Sequence, residues 1–150
     1  MQSQKPILAI DYGNKRIGLA LSDSKGVIAS PLEVLEVTKR RNIDVLLQDI
    51  LKIIDEYRVK TILLGNPQIF DSRHLKTTKV IESFKEKLSQ LTDLPIIYQD
   101  ESYSTTEAQN MLLSLGQNTK STKHKIDKIA ATLFLQEFLN SESNKNENRN

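Results

Sequence analysis

Short apolar runs at the front of the chain predict β-strands. The three candidates are Pro6–Ile10, Arg16–Asp23 and Val27–Val37, and each is bounded by the polar and glycine residues that favour turns. Gly26 stands in a tight-turn sequence between the second and third candidates, which favours a hairpin. The front of the chain is therefore predicted to form an antiparallel meander of three strands.

From residue 43 onwards, apolar positions recur every three or four residues, which is the period of an amphipathic helix. Helical stretches of this kind alternate with short buried strands. In chain order, the predicted elements are a helix over Ile43–Tyr57, a strand over Thr61–Leu64, a helix over Thr77–Leu91, a strand over Pro95–Tyr98, a helix from Ser104 that ends at Gly116, and a helix over Lys125–Leu139.

This order of elements predicts an α/β fold with a five-stranded mixed sheet and helices on both faces. It is similar to the ribonuclease H-like architecture. One domain over residues 1–139 accounts for all the predicted elements. Residues 140–150 contain five asparagines, two serines and no apolar residue. Because burial cannot offset the ordering entropy of such a segment, this polar tail is predicted to be disordered.

The composition excludes several kinds of chemistry. The 150 residues contain no cysteine and only two histidines, which excludes disulfides, thiolate zinc sites and cysteine nucleophiles. No apolar run approaches the roughly 20 residues that span a bilayer, and the polar start of the chain does not resemble a secretory signal. We therefore expect a cytoplasmic protein without membrane contact. Its net charge of +2 permits a polyanionic partner without requiring one.

Four acidic residues stand where the predicted strands end or the last helix begins. Asp11 ends the first strand, Asp100 and Glu101 follow the fifth, and Asp127 lies in the first turn of the last helix. Ligands of open α/β sheets bind beyond the carboxyl ends of the parallel strands, and carboxylates brought together there repel one another. A hard divalent cation removes that repulsion. Two such ions about 4 Å apart can activate water for phosphodiester cleavage.

Each of these acids also has a purely structural interpretation. Asp11 fits the Asp-x-Gly turn that it begins, Asp100 fits a helix cap, and Asp127 fits a residue that complements a helix dipole. An Asp-x-Gly turn with a hairpin also begins the nucleotide-binding fold of actin and the sugar kinases. Those proteins need a second related domain to close over the nucleotide, which a chain of 150 residues lacks. A Walker-type motif is also absent. Both observations disfavour ATP-driven phosphoryl transfer.

Basic residues cluster in three segments, which are Lys39–Arg41, Arg73–Lys79 and Lys120–Lys128. The last segment flanks Asp127 and would place positive charge beside the acidic residues, where a nucleic-acid backbone must pass. A solvated surface link is the alternative interpretation. Aromatic residues are few, so base stacking is not the obvious mode of binding. The predicted nucleic-acid contacts are Arg16, Arg73, Lys123 and Lys125.

Four motifs in order resemble the YqgF family of Holliday-junction-resolvase-like proteins, which are also described as candidate pre-16S ribosomal RNA nucleases. The motifs are Ile10–Ala20, Ile62–Pro67, Asp100–Ala108 and Lys125–Ala131, and the similarity covers about residues 6–139. The chain departs from the family pattern at Ser102, where the family usually has Arg, and in the segment from Asn66 to Arg73.

The resemblance implies a ribonuclease H-like fold and metal-dependent nuclease chemistry. It implies that Asp11, Glu101 and Asp127 are the catalytic and metal-binding acids, with Asp100 as the alternate for the middle position. The implied cofactor is Mg²⁺ or Mn²⁺, which prefer oxygen ligands.

We therefore expect a metal-dependent endonuclease that processes the 5′ end of the pre-16S ribosomal RNA, a substrate that rests on the resemblance alone. The expected partners are structured RNA and ribosomal precursor particles. A resolvase of branched DNA is the first alternative, and it would need a dimer to cut a junction symmetrically. A non-catalytic RNA-binding assembly factor is the second, and Ser102 favours it. The chain itself is expected to be a monomer or a weak homodimer.

Overall fold

Five strands and three helices make up the part of the chain that the computed structural model describes. That part comprises residues 3–13, 15–67, 74–101 and 120–147, with side chains described outside 66–67, 74–78, 99–101, 120–128 and 145–147. The strands are β1 (Ile7–Tyr12), β2 (Arg16–Ser22), β3 (Ala29–Glu36), β4 (Thr61–Pro67) and β5 (Ile96–Glu101). The helices are α1 (Ile43–Glu56), α2 (His74–Leu91) and α3 (Lys120–Glu147). The helix predicted from Ser104 lies outside the described residues.

The strands form one mixed sheet in the order β3-β2-β1-β4-β5. The pairs β1–β2 and β2–β3 are antiparallel, which confirms the predicted meander. The pairs β1–β4 and β4–β5 are parallel. Strands β1, β3, β4 and β5 therefore finish at the same end of the sheet, with Tyr12, Glu36, Pro67 and Glu101 as their last residues. We call this the carboxyl end.

Alternate residues of the central strands supply two hydrophobic cores, one on each face of the sheet. On one face, Leu8 and Ile10 pack in a cluster with buried residues of α1 and α2. On the other face, Ile7 and Ala9 pack with Phe134 and other residues of α3. Successive strand side chains point to opposite faces, so a strand that is apolar throughout must be covered on both. The prediction of helices on both faces is confirmed.

Two strands continue past their predicted ends. The parallel pairing of β4 with β5 carries on from Gly65–Gln99 to Pro67–Glu101. Residues 65–67 and 99–101 are therefore strand rather than loop. The apolar pattern stops earlier because the ladder is built from backbone groups, which accept polar residues as readily as apolar ones.

The last helix extends beyond its predicted bounds at both ends. It begins at Lys120, and the polar segment after Leu139 is helical as far as Glu147 rather than disordered. One carboxylate oxygen of Glu142 accepts hydrogen bonds from the N–H and hydroxyl of Ser3, and the other accepts one from Lys5 Nζ, all at 2.9 Å. These contacts join residues more than 130 positions apart, so local composition cannot predict them. No described helix is long and apolar enough to cross a membrane.

Candidate functional site

Asp11 lies in β1, one residue before the carboxyl end of the strand. Its neighbours across the sheet are Gly18 in β2 and Gly65 in β4, so the backbone on either side is held by pairing. The residue is half-buried. A carboxylate in this position is anchored by a central strand and still reaches solvent.

The strand register decides which acid of β5 shares a face with Asp11. Asp11 pairs with Gly65, and Gly65 pairs with Gln99. Residues paired in this way have their side chains on the same face of a sheet. Residues two positions apart in one strand also share a face. Glu101 is therefore in register on the face of Asp11, whereas Asp100 is on the opposite face. Two strand spacings and two residue rises separate the Cα atoms of Asp11 and Glu101, which is about 12 Å.

The packing of α3 places position 127 on the same face and at the same end. Phe134 lies directly over Gly65, since a Cβ at Gly65 would come within 2.7 Å of its ring. Glu142, two turns later, lies beside residues that precede β1, so α3 runs against the direction of β1. Position 127 is seven residues before Phe134, on the same stripe of the helix and about 10 Å further towards the carboxyl end.

The observed start of α3 changes the interpretation of Asp127. The residue is the eighth of the helix rather than a member of its first turn, which corrects the predicted position. The helix dipole acts within the first turn, so complementing it no longer accounts for a carboxylate here.

The backbone thus brings the positions of Asp11, Glu101 and Asp127 to one end and one face of the sheet. Among the residues whose side chains are described, no group of three His, Cys, Asp or Glu could hold a metal ion. The side chains of Glu101 and Asp127 are outside that set, so these ligands remain a prediction.

Basic residues surround the carboxyl end on the β2–β3 side. Arg16 begins β2, pairs with Glu36 in β3 and is half-buried. The carbonyl of Lys15 accepts a hydrogen bond at 2.9 Å from the N–H of Val37, which ties the turn after β1 to the end of β3. The exposed segment 39–41 follows directly. Of the other predicted nucleic-acid contacts, Arg73 lies outside the described residues, and Lys123 and Lys125 belong to α3 without described side chains.

A cavity that the sequence pattern did not reveal lies on the opposite face of the carboxyl end. It has a volume of about 260 Å³ and lies between Tyr12, the first residue of α1 and one side of α2. We call it the α2 groove. On α2 its lining includes Lys79, Ser83 and Lys87, and their four-residue spacing is the signal that could have identified this face.

Tyr12 forms the inner wall of the α2 groove. Its ring centroid lies 4.8 Å from that of Phe84, and both residues are buried. Burial raises the pKa of the Tyr12 hydroxyl above its ordinary value. This pKa shift is away from neutral pH, where any tyrosine hydroxyl is protonated and can donate a hydrogen bond.

Comparison with protein families places residues 5–141 in a match to the family described as RuvX: Holliday junction resolvase. A Rickettsia typhi protein named "Putative pre-16S rRNA nuclease" is 38% identical over 137 residues, which cover 91% of this chain and 86% of the relative. A Desulforudis audaxviator protein of the same name is 36% identical over 135 residues, which cover 90% of this chain and 94% of the relative.

Solved structures show the same fold. RuvC of T. thermophilus, in complex with a Holliday junction substrate, has a TM-score of 0.58 at 12% identity and covers 93% of this chain and 96% of its own. The yeast mitochondrial Holliday junction resolvase Ydc2 has a TM-score of 0.57 at 13% identity and covers 95% of this chain and 81% of its own. The ribonuclease H-like fold expected from the order of elements is confirmed.

Proposed function

The chain belongs to the RuvX family of Holliday junction resolvases, and from this premise we propose that it is a cytoplasmic, metal-dependent endonuclease that processes the 5′ end of the pre-16S ribosomal RNA. The names of its relatives support hydrolysis of RNA phosphodiester bonds. The observation that carries the proposal is the convergence of the positions of Asp11, Glu101 and Asp127 at the carboxyl end, on the α3 face.

The donor set fits a divalent cation. Three carboxylates supply only oxygen ligands, which Mg²⁺ and Mn²⁺ prefer, and three like charges at one place repel one another without a cation. Asp11 and Glu101 would hold the two ions from the sheet, and Asp127 would hold them from α3. When bound, the ions would supply an activated water and stabilise the charge that develops on the phosphate.

The chain's own residues would hold the nucleic acid in place. Arg16 lies at the carboxyl end, in the strand paired with that of Asp11, and would neutralise a phosphate next to the scissile bond. Lys123 and Lys125 precede Asp127 in α3 and would contact the phosphates of the nucleic acid on the side of this helix. Such contacts position the substrate without reading its bases.

The test is to replace each proposed ligand by its amide, as Asp11→Asn, Glu101→Gln and Asp127→Asn. The rate at which a pre-16S RNA fragment is cut in Mg²⁺ should fall by more than about 100-fold. Loss of a residue that only supports a metal ligand lowers activity by about 10- to 100-fold, so a larger loss indicates a direct ligand. The matched control is Asp100→Asn, which neutralises the adjacent residue on the other face of β5. Calorimetric titration with Mn²⁺ gives a readout that does not depend on activity.

Loss of both Mn²⁺ binding and cleavage in the three variants, with both retained in Asp100→Asn, supports the assignment. Undiminished cleavage in all three folded variants refutes it. Loss in Asp100→Asn with retention in Glu101→Gln would transfer the middle ligand to Asp100. A wild-type protein that binds RNA, does not bind Mn²⁺ and does not cut RNA would be the non-catalytic assembly factor.

Resolution of branched DNA is the second candidate, and the description of the matching family favours it. It would use the same acids, but symmetric cutting of a four-way junction requires two copies of the site. Sedimentation with and without a junction distinguishes the two functions. A protein that stays monomeric and leaves the junction intact while it cuts RNA excludes the resolvase.

A further inference from the structure

The α2 groove combines apolar and basic residues in its lining. Its floor contains Tyr12 and Phe84, which are 4% and 1% exposed, and the exposed side chain of Val80. Two lysines, Lys79 and Lys87, also line it. A small apolar cavity with a few polar groups at its mouth is the common form of a small-molecule site.

The size of the groove limits what can enter. Its volume of about 260 Å³ is slightly below the roughly 300 to 1,000 Å³ of sites for drug-sized molecules. The cavity therefore suits one ring system rather than a folded peptide or a helix. Ser83 and Tyr12 line the same cavity, and a hydroxyl that faces it could hydrogen-bond the polar edge of a ring.

The groove also adjoins the candidate catalytic end. Tyr12 directly follows Asp11 in β1, and consecutive strand residues point to opposite faces. The groove and the acids are therefore back to back at the same end of the sheet. A nucleic-acid strand that bends around this end would pass from one to the other within a few nucleotides.

The charges of the two lysines agree with such a path. Lys79 and Lys87 lie two turns apart on α2, and both are exposed. Lys87 Nζ is 3.4 Å from Asp44 Oδ1. Because this ion pair is solvent-exposed on both sides, it is weak, and a phosphate can take the place of Asp44 beside the lysine.

We propose that the α2 groove binds one unpaired nucleotide of the substrate, with the base against Val80, above Tyr12 and Phe84, and the flanking phosphates on Lys79 and Lys87. The proposal rests on the nucleic-acid substrate class of the proposed function. It adds a structural preference, because an unpaired base can leave its stack and enter the groove, whereas a base held in a duplex cannot. The protein should thus prefer substrates in which a single strand leaves the cleavage position.

The test compares two fluorescein-labelled RNA duplexes, one blunt and one with a four-nucleotide single-stranded extension, in EDTA so that neither is cut. The readout is the ratio of the two dissociation constants from fluorescence anisotropy. We expect the wild type to bind the extended duplex more tightly by about fivefold or more, the lower end of what contact with one base contributes. Ser83→Trp, which fills the groove from an exposed position, should bring the ratio close to one.

Charge reversal gives an independent readout. In Lys79→Glu/Lys87→Glu, the slope of log affinity against log salt for the extended duplex should fall by about two, one for each lost phosphate contact. The matched control is Lys60→Glu, an exposed lysine at the opposite end of the sheet, which should keep the wild-type ratio and slope.

A wild-type ratio near one, or a ratio that survives both Ser83→Trp and the double reversal, overturns the proposal. A change in sedimentation caused by Ser83→Trp also overturns it, since the groove would then be a contact between copies of the chain. Cleavage is measured separately in Mg²⁺. A protein that cuts neither duplex but keeps a groove-dependent preference refutes the nuclease while the nucleotide site stands.

Discussion

Replacement of Gly65 by alanine should force α3 away from the sheet. The added Cβ would lie 2.7 Å from Phe134 Cε1 and 2.8 Å from Cζ, whereas carbon atoms make their best contacts at about 3.5 to 4.0 Å. The ring must therefore retreat by at least about 0.8 Å. Phe134 is 2% exposed and belongs to the core between α3 and the sheet, so it can retreat only by moving its helix.

The cost in stability follows from this overpacking. Forcing an extra methyl group into a packed core costs about 1 to 3 kcal/mol. For a protein of this length each kcal/mol corresponds to roughly 2 to 4 °C in Tm, so we expect Gly65→Ala to lower Tm by roughly 2 to 12 °C in differential scanning calorimetry.

The same displacement should reduce activity by more than the lost stability explains. Gly65 pairs directly with Asp11, and position 127 belongs to the helix that Phe134 holds against β4. A misplacement of about 1 Å between catalytic groups can lower the rate about 100-fold. We therefore expect kcat to fall by about 10- to 100-fold well below the Tm of the variant, where the protein remains folded.

A double-mutant cycle isolates the contact. Leucine at position 134 lacks the ring atoms that the new Cβ would meet, so Gly65→Ala should cost much less in the Phe134→Leu background, with a coupling of about 1 kcal/mol or more. Gly26→Ala is the matched glycine control. Gly26 has a φ of 73° and contacts Lys5 rather than Phe134, so its cost should be equal in both backgrounds.

Two outcomes would refute this reasoning. A Tm within about 1 °C of wild type would mean that the helix and the sheet are not in the close contact described. Equal costs of Gly65→Ala in the two backgrounds would mean that any loss of stability comes from the backbone at Gly65 and not from the ring.

Three further predictions concern the tail, the first helix and the metal. Burial disfavours the charged form of Glu142, but hydrogen bonds from Ser3 and Lys5 outweigh it and hold the pKa of Glu142 below its ordinary value. Glu142→Gln should therefore lower the free energy of unfolding, measured in urea titrations, by about 1 kcal/mol at pH 7. The difference between wild type and variant should shrink as the pH falls through the depressed pKa of Glu142. A difference that does not change with pH would contradict this prediction. Asn42 caps α1 by accepting a hydrogen bond from the N–H of Val45, so Asn42→Ala should cost about 1 kcal/mol in urea unfolding while Asn42→Asp retains the cap; equal stabilities of the two variants would contradict the cap. Chelation by EDTA should abolish RNA cleavage and Mg²⁺ or Mn²⁺ should restore it, and cleavage that persists without metal would exclude the proposed ligand role of the acids.

The sequence alone predicted the elements that depend on local pattern. The apolar period predicted α1 to within one residue, and Leu46, Leu47 and Ile50 are buried as the pattern requires. Gly26 has the positive φ that its turn context predicts. The family motifs predicted the ribonuclease H-like fold, because they record which residues that fold needs at its strand ends.

The ends of the elements were predicted less well. Val27 and Ile28 were included in the third strand, yet both lie before β3 and are exposed. Their N–H groups donate to Asp23 Oδ1 at 2.7 and 3.1 Å, so the turn rather than the sheet satisfies them. A hydrophobic residue is buried only where another helix or strand packs over it. The sequence around the residue does not show whether such an element is present.

What the sequence by itself determined is therefore the set of helices and strands, their order, the family, and the acids that stand at their ends. Only the tertiary structure decided that the register of β5 puts Glu101 and not Asp100 on the face of Asp11, that Asp127 lies in the third turn of α3, and that the α2 groove exists at all. The physical reason is that helical and strand periods are properties of a few consecutive residues. Register, helix placement and cavities arise from contacts between residues that lie far apart in the chain.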